Sequence, residues 1–278
     1  MAVSLSKAGV ALVSVASAAI VANVYGPAGL GIFALLRVAP TVFTVLTDPG
    51  FSHAIPYLSA NRKVAQPTLI GSGIYVYIVV TTAQLGLWTL FTPLIQHHLL
   101  MSLPLSAVYM AGVLAPMQSI TILIVNLLRA KYRFNLANGV FLIAEIALVV
   151  AASVAAIWEK SNLAVLVTIL MLSTGFSLLI GSFFLFSTGN RVLFRIDHAV
   201  IVEGIKFGIR SQVGNAFQIL NYRLDHLILG FFLAPEKVAV YFIATKSIEF
   251  FRFFTASIVF VFEPVFAAQT GRNAKARV

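Results

Sequence analysis

The 278-residue chain has no cysteine, and only 10% of its residues are charged. The first absence excludes disulfides, thiolate metal centres and a cysteine nucleophile. The second excludes an ordinary soluble domain, in which about a quarter of the residues carry charge. Acid is scarcer than base, with nine Asp and Glu against nineteen Lys and Arg. So few carboxylates leave little material for paired acid–base chemistry. No nucleophile elbow, phosphate-cradling glycine loop or zinc-ligand spacing occurs. His97 and His98 are adjacent, so their side chains diverge on most backbones, and no carboxylate is near them in sequence. The expectation is a chain with no catalytic residues, no metal and no cofactor, and hence not an enzyme.

What the chain has in abundance is apolar sequence: 60% hydrophobic residues and a mean hydropathy of +0.97. About 20 residues of helix cross a bilayer core. Eight runs of that order or longer occur: Leu5–Val24, Ile32–Leu58, Pro67–Phe91, Leu105–Leu128, Phe134–Ile157, Leu163–Phe186, Ile205–Leu233 and Val238–Phe266. They lack the period-two alternation of barrel strands. The fold class expected is an all-α integral membrane protein with about eight transmembrane helices. Lys7 before an apolar run and the triplet "ASA" (Ala16 to Ala18) imitate a signal peptide, but that triplet lies inside the run. Leu5–Val24 therefore reads as the first span.

The net charge of +10 would suggest nucleic acid in a soluble protein. Here the basic residues fall in short segments between spans, which is how topology is set. With the N-terminus inside, the inner segments hold Lys7, Arg62, Lys63, Arg129, Lys131, Arg133, Arg191, Arg195 and Lys206, and the tail adds Arg272, Lys275 and Arg277. The outer loops hold only Lys160 and Lys237. Both termini are expected in the cytoplasm, the membrane is expected to be the cytoplasmic one, and no nucleic-acid partner is expected.

The sequence also resembles itself. Pro27 and Pro235, Phe33 and Tyr241, and Pro56 and Pro264 each lie 208 positions apart. Both stretches join a short outer turn to a long helix with a late proline, which reads as a parallel internal repeat. The domains expected are a complete first six-helix bundle over 1–200 and the first two helices of a second bundle over 201–278.

Polar residues recur at helical spacing inside these spans. On the seventh, Ser211, Asn215, Gln218, Tyr222 and Asp225 share one face, opposite Val213, Ala216, Phe217, Leu220, Leu224 and Leu227, with Arg223 and His226 at its border. On the second, Arg37, Thr41, Thr44, Asp48 and Ser52 form a stripe, and Pro40 and "DPG" (Asp48 to Gly50) are expected to kink the helix. On the eighth, Thr245, Glu249, Arg252 and Glu263 align, with Glu249 able to pair with Lys246 or Arg252; on the fifth, Asn138 and Glu145 align. A charge at a helix centre costs about 2.5–3.5 kcal/mol on insertion scales, so such residues face protein or a hydrated cavity. The cavity residues expected are Arg37, Asp48, Arg210, Gln218, Arg223, Asp225, Lys246, Glu249 and Arg252. A basic cavity suits an anionic head group, because arginine forks match phosphate oxygens.

Two stretches carry a family resemblance. "VANVYGPAGLGIFALLRVAPTVFTVLTDPGFSHAIPYL", with Gly26, Pro27, Gly31, Asp48 and Gly50, resembles the opening of polysaccharide-type flippases of the multidrug/oligosaccharidyl-lipid/polysaccharide exporter superfamily. "IKFGIRSQVGNAFQILNYRLDHLILGFFLAPEKVAVYFIATK", with Asp225, Gly230, Tyr241 and Ala244, is similar to the start of that family's second half. The resemblance implies a non-enzymatic transporter built of two six-helix bundles. It implies a polyprenyl-diphosphate-linked oligosaccharide as cargo, moved across the membrane by alternating access. It assigns the diphosphate and a coupling ion to the arginines and acids named above. A complete member has more helices than this chain, so a second chain is expected to supply them, or the sequence is a fragment. The readings left beside it are a membrane scaffold in a glycan-synthesis complex and another ion-coupled exporter of the superfamily.

Overall fold

The computed structural model describes residues 2–158, 162–187 and 195–248. The eighth span is described only to Ile248, and Glu249 and Arg252 lie outside the described residues. The described chain is all helix with no strand among its described residues. The elements are α1 (Ala2–Thr47), α2 (Phe51–Ala60), α3 (Gln66–His98), α4 (Leu105–Ala111), α5 (Leu114–Ala130), α6 (Phe134–Trp158), α7 (Val165–Phe186) and α8 (His198–Phe232). A further helix, α9, occupies 235–248. Among the described residues, five helical stretches are long and apolar enough to cross a membrane: Gly9–Thr47, Gln66–His98, Leu105–Ala130, Phe134–Ile157 and Val165–Phe186. The protein is an all-α membrane protein.

The first two predicted spans are one run of helix with a break at Gly26 (φ 68°, ψ −174°), a conformation open to glycine. The chain reverses there. Glycine 9 packs on Leu142 of α6 and Arg37 bonds to Glu145 of the same helix. A straight helix would hold positions 9 and 37 about 42 Å apart, whereas 142 and 145 are separated by less than one turn. The second arm starts at Pro27, and α9 starts at its repeat partner Pro235, where the missing N–H costs nothing. Gly31 lies so close to Pro235 that an added Cβ would sit 1.8 Å from the Pro235 carbonyl oxygen. The start of α9 thus rests against the second arm of α1.

The predicted second span, Ile32–Leu58, is corrected by the structure: it is two helices, α1 and α2, parted at Asp48–Gly50. Pro40 stays within a continuous helix, so the break comes from "DPG" alone. Gly50 adopts φ 80°, and its N–H donates to Asp48 Oδ1 at 2.6 Å. The fourth predicted span is likewise interrupted, between α4 and α5, where Trp88 occupies the space beside Gly112.

Lipid tails are as apolar as leucine, so helices in a membrane associate through close packing and hydrogen bonds. Two apolar clusters do this. One joins Phe33, Leu36, Trp88, Val108, Leu148 and Phe242; the other joins Phe51, Leu58, Ile70, Tyr77, Leu127 and Val140. Trp88 is fully buried, edge-on to Phe43 (5.2 Å) with its Nε1–H donated to the Val108 carbonyl (2.9 Å). Helix α8 runs antiparallel to the line α1–α2: Gly204 meets Phe51 and Leu58, Gly208 meets Gly50, Gln212 bonds to Val45, and Gly230 meets Leu35. Gly204 and Gly208 form a G-x-x-x-G pair that lets the backbones touch.

Candidate functional site: a polar ladder and a mixed helix face

The stripe expected on the second span exists, and it faces α3, α5 and α6. Arg37 places both guanidinium nitrogens on Glu145 of α6. Its charged plane also lies 5.7 Å from the Phe33 ring centroid. One turn on, Thr41 donates to Gln118 Oε1 of α5 (3.2 Å), and Thr44 donates to the Ala115 carbonyl (3.2 Å). Next, Gln84 of α3 donates to Thr47 Oγ1 (3.0 Å) and to Ser119 Oγ (2.9 Å). Asp48 closes the series, accepting from the Tyr77 hydroxyl at 2.7 Å. Each rung satisfies a polar group that would be costly alone in the membrane. Beside the first rung is a chamber of about 130 Å³ lined by Arg37, Glu145, Thr41, Gln118, Ser173 and Thr174, among others.

Helix α8 shows three sectors at 100° per residue. The packed sector is Gly204, Gly208, Gln212, His226 and Gly230, all buried. The sector with Val213, Phe217 and Leu224 is exposed and apolar, as a lipid-facing surface should be. Between them runs an exposed polar sector with Arg210, Ser211, Gln218 and Asn221, bordered by exposed Tyr222 and half-buried Asn215 and Asp225. The expected two-faced helix is therefore three-faced. The difference arises because the bundle is contacted by glycines and amides rather than by either stripe read from the sequence.

His226, expected at the border of the polar stripe, is fully buried. Its Nδ1 is 2.9 Å from Asp225 Oδ1 and its Nε2 is 3.2 Å from Thr245 Oγ1 of α9. The Tyr241 hydroxyl donates to the other Asp225 oxygen. Phe242 lies edge-on to both His226 (6.0 Å) and Phe33 (6.4 Å), and the Lys246 ammonium sits 5.6 Å from its ring centroid. Arg37, Asp225 and Lys246 are thus connected through Phe33 and Phe242. Asp48 stands apart against α3, Arg210 and Gln218 lie on the exposed polar sector of α8, and Arg223 is half-buried on the other flank of the packed sector, next to the lipid-facing one.

A family model described as "polysaccharide biosynthesis protein" matches residues 8–277. The chain belongs to this family. No curated protein and no solved structure matches it significantly. The polysaccharide biosynthesis family and the apolar helices together place the protein in a membrane and in polysaccharide biosynthesis. Within this family member, sequence reasoning singled out one side of most contacts. It missed Gln84, Tyr77, Gln118 and Thr245 as ladder or network partners, and it noted Glu145 without pairing it to Arg37. The available signal was that each sits within an apolar helix where a lone polar group requires a partner.

Proposed function

We propose that this protein is a flippase that carries a polyprenyl-diphosphate-linked oligosaccharide across the cytoplasmic membrane by alternating access, without catalysing a reaction. Both termini lie in the cytoplasm in this reading, following the lysine and arginine bias of the loops. The observation that carries it is the polar sector of α8. In a polysaccharide biosynthesis protein of the membrane, Arg210, Ser211, Gln218 and Asn221 form a polar line about 16 Å long, roughly half the hydrocarbon thickness, exposed on the bundle surface. Such a line is stable against water or protein and not against lipid. Facing a second bundle, whether from a second chain or from further sequence, it would wall a hydrated cleft. Hydroxyls and amides there suit sugar hydroxyls, and arginine suits the diphosphate.

The test is reconstitution. Vesicles containing the protein, and any chain that co-purifies with it, receive a fluorescent polyprenyl-diphosphate disaccharide in both leaflets. A membrane-impermeant quencher then reports the protected fraction. Protein-dependent loss of protection, reduced by Arg210→Gln with Gln218→Ala, is the expected result. Protection equal to that of empty vesicles refutes the reading.

A further inference from the structure

The guanidinium of Arg37, an expected anion-binding group, has its binding edge already taken by a carboxylate. Glu145 contacts both of its terminal nitrogens, in the fork geometry by which arginine holds a carboxylate or a phosphate. The pair is not sealed in the core. The side chains keep 25% and 13% of their surface accessible, and the chamber beside them holds about 130 Å³. That is the room of about four waters, enough for one tetrahedral phosphate. The remaining polar lining is neutral: Thr41, Gln118, Ser173 and Thr174, with no further titratable side chain among the described lining residues.

We propose that Glu145 is an intramolecular competitor for the phosphoryl group of an anionic ligand at Arg37. The carboxylate fills the fork when the ligand is absent, and one phosphate of the ligand takes the fork when it binds. Glu145 then turns to the chamber, where the hydroxyls of Ser173 and Thr174, which donate to the Leu170 carbonyl in the resting state, rotate to donate to the carboxylate instead. This rests on the flippase reading for the identity of the ligand, a lipid-linked diphosphate, though the exchange itself concerns only Arg37, Glu145 and a phosphate. Occupying the fork internally has a physical purpose. A lone guanidinium inside a bundle is costly, and an internal carboxylate holds it folded and oriented between transport events. The resting pair also sets a selectivity threshold. A single weak anion does not displace a bidentate carboxylate, whereas a diphosphate, which brings two negative charges to the guanidinium, does. The link from Arg37 through Phe33 to Phe242 and Lys246 gives the exchange a path to α8 and α9, because movement of the guanidinium changes what Phe33 packs against.

The experiment measures binding of inorganic pyrophosphate to the purified protein in nanodiscs of neutral lipid, by equilibrium dialysis with labelled probe. Glu145→Gln preserves shape and removes the competing charge. It is expected to tighten pyrophosphate binding at least tenfold over the unaltered protein. Glu145→Asp, which keeps the charge, is expected to bind no tighter than the unaltered protein. Arg37→Gln placed on the Glu145→Gln background is expected to abolish the gain. Each variant is first shown to elute as a single peak with unchanged helix content. Equal affinity in Glu145→Gln and unaltered protein, or a gain that survives Arg37→Gln, overturns the proposal. Absence of binding in every form overturns it too. If the gain is seen while reconstituted vesicles move no lipid, the competitor stands and the flippase reading fails; translocation without the gain does the reverse.

Discussion

At the crossing of α8 with the α1–α2 break, two glycines meet backbone to backbone, and an added methyl group should drive them apart. A Cβ on Gly208 would lie 2.3 Å from the Gly50 carbonyl oxygen, 2.6 Å from its carbonyl carbon and 3.0 Å from the Phe51 nitrogen. These are main-chain atoms of a left-handed turn held by Asp48, so no rotamer change relieves the clash. Overpacking costs about 1–3 kcal/mol, and a contact with backbone belongs at the upper end. For a chain of this size about 3 kcal/mol corresponds to roughly 6–12 °C in melting temperature. Gly208→Ala should therefore melt that far below the unaltered protein in a detergent thermal-stability assay read by size exclusion. The control is Gly214→Ala, six residues on. Nothing lies within 4 Å of its Cβ position, and alanine gains up to about 1 kcal/mol of helix propensity. Equal melting of the two variants would refute the idea that α8 docks through this contact.

Tyr77→Phe removes the buried donor to Asp48 and should cost about 1–2 kcal/mol, the upper range for membrane hydrogen bonds because the acceptor is a carboxylate; in the same melting assay, Tyr77→Phe should cost much less on an Asp48→Asn background. Arg37→Met alone strands the part-buried Glu145 and should destabilise by about 1–3 kcal/mol, while the double change Arg37→Met, Glu145→Met recovers most of the loss; an unrecovered double variant would deny that the ion pair is the cause. The chain has no cysteine, so single cysteines report cleanly. Gln218→Cys and Asn221→Cys should react with a membrane-impermeant maleimide, whereas Leu220→Cys and Leu224→Cys stay unlabelled; four equal reactivities would remove the polar sector as a wet surface.

The helices themselves were legible because hydropathy and length suffice for them. Each of the seven predicted spans from Leu5–Val24 to Ile205–Leu233 falls mainly on described helix, with short breaks inside the second and fourth, and α6 begins at Phe134 and α7 ends at Phe186, as expected. The break at "DPG" was legible as a kink, but its outcome was not. A full break depends on Gly50 taking a left-handed conformation beneath Gly208, a contact from 158 positions away in sequence. The polar stripe of α1 was read correctly as a stripe, since spacing alone fixes which residues share a face. Which way it pointed was not readable, because Arg37 looks inward only by virtue of Glu145 on another helix. His226 shows the same limit. Its burial is set by Thr245 and Phe242 of α9, and nothing in its own helix distinguishes it from exposed Tyr222.

Biogenesis has to contend with the composition of α8. The helix is 35 residues long, yet it is not among the stretches apolar enough to enter a bilayer unaided. Lys206, Arg210, Arg223 and Asp225 each add to the cost of leaving the translocon as an isolated segment. Its glycine and amide face becomes stable only against α1 and α2, which are synthesised first. The insertion machinery would have to retain α8 until the earlier helices stand ready to receive it. A variant that spoils the glycine crossing should therefore accumulate to a lower level in the cell, because the fraction of chains that fail to seat α8 is cleared by proteolysis.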